Sequence, residues 1–218
     1  MIDFEKRIVL VLIFFLFFPL YALSDETSIL NSFEIVGANF AYDIETGNIE
    51  SKDLITLKSK DFLLSAKGVL FDVKKEEFVG SQGVDLKIGD ASIVAKIIKI
   101  DFKNRVATLK EDVVASGSYN GKKWGIMSNL INIRFVFTDE KKGIEEIKTD
   151  ERSKVYYDIL SGEADSILYS NIKKNIVLSG NVKVIRDKNT ILAEKIIIDL
   201  QTKKMITKGK VKIIINKE

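Results

Sequence analysis

The chain carries neither histidine nor cysteine, so any chemistry has to come from carboxylates, amines and hydroxyls. There is no imidazole base, no thiolate nucleophile, no disulfide, and no set of the usual zinc ligands. The acidic pairs Glu76/Glu77, Glu111/Asp112 and Glu145/Glu146 are the nearest thing to an acid–base couple. Each pair is adjacent in sequence, and neighbouring residues of a strand point to opposite faces, which separates the two carboxylates. They read as solvated turns. Lys99, Lys183, Lys195 and Lys212 read as a solvated outer face, with phosphate binding at the mouth of a groove as a second role. No catalytic residue, metal site or cofactor is expected, and the chain does not read as an enzyme.

What remains is apolar, and its spacing is informative. In ASIVAKIIKIDF, Ile98, Ile100 and Phe102 share one parity and Lys99 and Asp101 the other, the two-residue period of a half-buried strand. ADSILYSNIKKNIVLSGNVKVI, from Ala164, lies without a gap over AEKIIIDLQTKKMITKGKVKII, from Ala193, at an offset of 29 residues. The same offset carries AKGVLFDVKKEEFVGSQGVDLKI, from Ala66, onto AKIIKIDFKNRVATLKEDVVASG, from Ala95, and Asp43 onto Asp72 and Asp101. A looser copy starts at Ser128, with an apparent insertion, TDEKKGIEEIKTDERSK. About six units fit between residues 37 and 215, in the period range of stacked architectures. Each holds a strand, a polar turn such as DLQTKK, and a second strand that crosses a Gly or Asp into a Val-led alternation. The expected fold is all-β: a stack of antiparallel strands with no helical period. Trp124 falls where the offset breaks down and reads as a core anchor, with a partner interface as the alternative. The last strand, KVKIII, has no following unit to pair with and leaves a free edge.

The totals narrow the function further. Hydrophobic residues make up 46% and charged ones 30%, enough for a core and a soluble surface. The 34 basic and 31 acidic residues are mixed along the chain, which excludes a nucleic-acid footprint. Residues 1–24 read as a signal peptide: MIDFEKR, an apolar run broken at Pro19, then Ala22 and Ser24 at a small-residue cleavage site. An uncleaved membrane anchor is the alternative. Residues 25–218 are then a single exported domain without proline, which suits uninterrupted strands.

The tandem pattern in EADSILYSNIKKNIVLSGNVKVIRDKNTILAEKIIIDLQTKK, residues 163–204, resembles the OstA-like repeat of the lipopolysaccharide-transport bridge family, with looser copies from Gly37, Ala66 and Ala95. The resemblance implies a twisted, V-shaped β-jelly roll in the periplasm. Its interior would take the acyl chains of lipopolysaccharide or a similar envelope glycolipid. It also implies head-to-tail pairing of edge strands, with other OstA-like transport proteins and with further copies of the chain. A released chain matches LptA-like members of the family; an uncleaved leader would match LptC-like, membrane-anchored ones. The groove candidates under this reading are Val69, Phe71, Ile98, Ile100, Phe102, Ile167, Tyr169, Val182, Val184, Ile196, Ile198, Val211 and Ile213. A ligand-free structural scaffold with the same repeats is the competing expectation.

Overall fold

A computed structural model describes residues 33–137 and 142–215; the leader expected at 1–24 lies outside the described residues. The described residues contain strands and turns and no helix long and apolar enough to cross a membrane. The strands form twelve rungs in chain order, each antiparallel to the one before. β1 (Glu34–Gly37) and β2 (Phe40–Tyr42) make the first rung, and β3 (Asn48–Ser51) with β4 (Ile55–Lys58) the second. Next come β5 (Phe62–Asp72), β6 (Glu77–Ile88), the split rung β7 (Ala91–Ala95)/β8 (Ile97–Asp101), β9 (Val106–Tyr119) and β10 (Lys122–Phe137). The split rungs β11 (Lys142–Thr149)/β12 (Ser153–Tyr157) and β13 (Leu160–Ala164)/β14 (Ser166–Ser170) follow. β15 (Asn175–Arg186), β16 (Asn189–Asp199) and β17 (Met205–Ile214) complete the stack.

Every rung bends in the middle, so the ladder folds over into two half-sheets. The first half-sheet runs β2–β3–β5–β6–β8–β9–β10–β11–β14–β15–β16–β17, using one end of each long strand. The second runs β1–β4–β5–β6–β7–β9–β10–β12–β13–β15–β16–β17, using the other end. The register slips at the bend, between Ser65 and Lys67, Ser128 and Leu130, Ser179 and Val182, and Ala193 and Lys195. These are bulges, which insert a residue and sharpen the local turn. Gly180 shows why the repeat keeps glycine there: its φ is +75°, and a Cβ would lie 2.7 Å from the Asp165 carboxylate. A polar clasp backs this corner. Arg152 binds the Asp165 carboxylate at 3.0 Å and the Asn181 carbonyl at 2.9 Å, and the Asn181 amide donates to Asp165 at 2.7 Å. At the corner of β9, Lys96 meets Asp112 at 2.9 Å and Glu111 at 3.7 Å.

The turns at the free ends of the first half-sheet explain the aspartates that recur at an offset of 29 residues, Asp43, Asp72 and Asp101, and a further one, Asp199. The Asp43 carboxylate accepts from the N–H groups of Glu45 and Thr46, Asp72 from Lys75, Asp101 from Asn104, and Asp199 from Gln201 and Thr202. Each closes the turn onto its own backbone. At the free ends of the second half-sheet the turns are tighter. Asn120 and Gly121, both at positive φ, join β9 to β10 in two residues.

The inner faces of both half-sheets share one core, running from Ile49 to Leu200. The apparent insertion in the fourth repeat corrects the sequence reading: residues 142–149 and 153–157 are a regular rung, β11/β12, paired on both sides.

Candidate functional site

The interior is built chiefly from aliphatic and aromatic side chains, with Ser51, Thr149, Ser153 and Ser170 buried among them. Eleven of the thirteen candidate groove residues lie inside: Val69, Phe71, Ile98, Ile100, Phe102, Ile167, Tyr169, Val182, Val184, Ile196 and Ile198 are each no more than 6% exposed. Val211 and Ile213 differ. They pair with Ala193 and Ile191 and so share the inner parity, yet they are 42% and 58% exposed, because among the described residues no rung follows β17. They form the rim of the interior at its C-terminal end. Phe40 has the matching place at the other end, opposite Ser51 on the first rung, and is also exposed.

The eleven buried candidates are only part of the lining. Phe62, Leu64, Leu86, Ile93, Ile126 and Val155 line the second half-sheet, beside Val182 and Val184 and across from the other nine. FLLSA, VDLKI and ASIVA carry the signal for the first four of these residues, WGIM and SKVYY for Ile126 and Val155. It is obscured because inner parity changes across the bend: β5 buries Phe62, Leu64 and Ala66, then Val69 and Phe71.

Opposite the corner, the free ends of the two half-sheets approach each other and leave a seam along the molecule. Aromatic rings bridge it. Phe33, just before β1 of the second half-sheet, packs edge-on against Phe71 of the first, with ring centres 5.5 Å apart. Phe62 stacks on Phe102 across the same gap at 5.5 Å. Further along, Trp124 stacks on Tyr169 at 5.3 Å and 15°, and the Lys174 ammonium sits 5.4 Å from the centre of the Tyr119 ring. Trp124 is thus a core anchor that joins the two half-sheets. It lies flat because Gly117 is its cross-strand partner: a Cβ there would lie 2.7 Å from the indole. Burial pushes the Tyr169 phenol up, and nearby Tyr119 and Tyr157 add to the effect.

A void of about 10 Å³ lies among Val155, Tyr157, Leu160, Leu178, Val184 and Ile198, room for about one water. On the outer face near the corner, a shallow groove of about 540 Å³ is edged by Arg152, Lys183, Lys210 and Lys212, with Glu163 and Glu194 among them. Lys99 faces outward and pairs with Glu77 at 3.5 Å. Among the described residues no group of acidic side chains could hold a metal ion.

Comparison with known proteins agrees with this architecture. Among solved structures, the chain is similar to one described as LptH, the LptA-homologous periplasmic component of the conserved lipopolysaccharide transport device from Pseudomonas aeruginosa. The likeness covers 58% of this chain and 95% of that one, with 18% identity and a TM-score of 0.51, and it shows the β-jelly-roll fold. No curated protein matches. Residues 93–204 match the family described as LptA/(LptD N-terminal domain) LPS transport protein, and with half of its length so matched the chain belongs to that family.

Proposed function

We propose that this protein is a periplasmic carrier of lipopolysaccharide, or of a similar acylated envelope glycolipid, between the inner and outer membranes. The observation that carries the reading is the predominantly aliphatic and aromatic interior, from Ile49 to Leu200, in a chain of the transport family. Each methylene moved out of water contributes roughly 0.8 kcal/mol, so acyl chains favour such an interior strongly without any polar anchor. Near-equivalent positions repeated along the stack let a chain slide rather than lodge. Copies, or related jelly-roll proteins, join end to end by pairing β17 with the first rung of the next molecule, the usual fate of an uncovered strand edge. A leader that stays in the membrane would make this an anchored member of the same system.

The test is photo-crosslinking in cells that make lipopolysaccharide. Photoreactive phenylalanine at Phe71, Phe102 or Tyr169 should label lipid, while Lys99, Leu168 and Ile206 on the outer face should not. Equal labelling from both sets, or none from either, would reject the carrier. One observation favours the scaffold reading instead: the interior is already filled, with its lining side chains almost wholly buried. Purification without detergent separates the two, because a carrier retains acyl lipid and a scaffold does not.

A further inference from the structure

We propose that Tyr119, Tyr157 and Tyr169, together with the Trp124 indole N–H, form a donor cluster that holds the carbonyl groups joining the cargo's acyl chains to its head. This rests on the carrier reading above. An apolar interior accounts for the grip on methylenes but not for the ester or amide that ends each chain. A carbonyl taken out of water needs a donor, or its desolvation weakens binding.

The four side chains share one level of the stack. Tyr157 is the cross-strand partner of Trp124 on one side, and Gly117 is its partner on the other. Tyr119 follows two residues after Gly117 and packs against the same core. Tyr169 reaches the group from the first half-sheet by stacking on the indole. The three phenols lie close enough for each to feel the others' charge. Burial pushes the Tyr157 and Tyr169 phenols up, so both keep the proton they would donate.

A shortage of acceptors sets this cluster apart from the other polar groups of the interior. Ser51 donates to the Asn39 carbonyl and Ser153 to the Glu151 carbonyl, while Thr149 and Ser170 accept from the N–H groups of Ile167 and Lys173. The three phenols and the indole N–H, by contrast, have no hydrogen-bond partner among the described residues. Asp158, next to Tyr157, is taken by Lys122. Lys174, over the Tyr119 ring, gives one of its three N–H donors to Asn171 and can offer the others to a ligand. What the cluster can receive is therefore a group rich in acceptor oxygens, set at the root of an apolar chain. Ester and amide carbonyls of an acylated sugar have that chemistry.

Replacing all three tyrosines by phenylalanine removes the hydroxyls and keeps the rings. The full-length triple variant should bind purified lipopolysaccharide about tenfold more weakly than wild type. Two further probes, used below their micelle concentrations, isolate the linkage: sucrose monododecanoate carries an ester, and dodecyl maltoside has the same chain length and no carbonyl. The ester should lose about tenfold and the maltoside should bind as it does to wild type. Equal loss for both would show that the hydroxyls only shape the interior, and would overturn the cluster. Undiminished lipopolysaccharide binding would also overturn it and leave the carrier reading standing. If the triple variant does not fold, Tyr119→Phe, Tyr157→Phe and Tyr169→Phe taken singly decide. Each should cost about twofold or more on lipopolysaccharide; three singles that bind like wild type would overturn the proposal. A wild-type chain that binds no lipopolysaccharide would remove the carrier reading and the cluster with it.

Discussion

The recurring turn aspartates show how a single residue type can shape the molecule without doing chemistry. The Asp43 carboxyl is held below its usual range by the Thr46 backbone N–H, Asp72 by the Lys75 side chain, and Asp199 by the Thr202 N–H. At Asp101, burial pushes upward but hydrogen bonds from Asn104 prevail, and the net shift is again downward. A carboxyl whose folded value lies below its unfolded value of 3.8 stabilises the fold fully above 3.8, and that stabilisation is lost as pH falls through the folded value. These four groups should leave the thermal midpoint unchanged between neutral pH and about pH 5 and lower it below about pH 4. Asn at all four positions should flatten that acid limb in melts followed by circular dichroism. An unaltered limb would show that the turns do not depend on charge. The 29-residue recurrence of Asp43, Asp72 and Asp101 was plain in the sequence; its cause, a carboxylate closing its own turn, required coordinates.

At the scale of elements, β17 combines exposed apolar residues, including Ile206, Val211 and Ile213, with lysines at 208, 210 and 212. Lysines on an edge discourage indiscriminate pairing, while the apolar residues favour one well-matched partner. Ile213→Pro should abolish concentration-dependent self-association in sedimentation experiments and leave the monomer folded, at a cost of about 0.5–1.5 kcal/mol for one ladder hydrogen bond. A proline variant that associates normally would mean that this edge is not the contact. Strand content and the unpaired last edge were legible because alternation is a local property. The bend was not, since a change of inner parity between Ala66 and Val69 looks like a break in the pattern until the opposing half-sheet is seen. The seam was hidden for a related reason. Phe62 and Phe102 are 40 residues apart in sequence, and no periodic count brings their rings together.

For the molecule as a whole, the rungs stack in chain order, so each depends chiefly on its two neighbours. Architectures of this kind gain stability as sums of local interfaces. Removing residues 189–218 takes away β16 and β17 and the burial of Ala193, Ile196, Ile198 and Leu200, and makes β15 the new edge. The shortened chain should keep its strand signal and melt in one transition several degrees lower. Collapse to an unfolded chain would show that the last rungs hold the rest together. The order of the rungs also governs how the protein is made. Synthesis runs from the N-terminus, so every new rung finds a finished template waiting, and long-range search is small. Of the described strands β17, with its exposed Val211 and Ile213, is produced last, after nearly all the other described apolar surface has been covered, which shortens the time in which an immature chain exposes both its core and that edge.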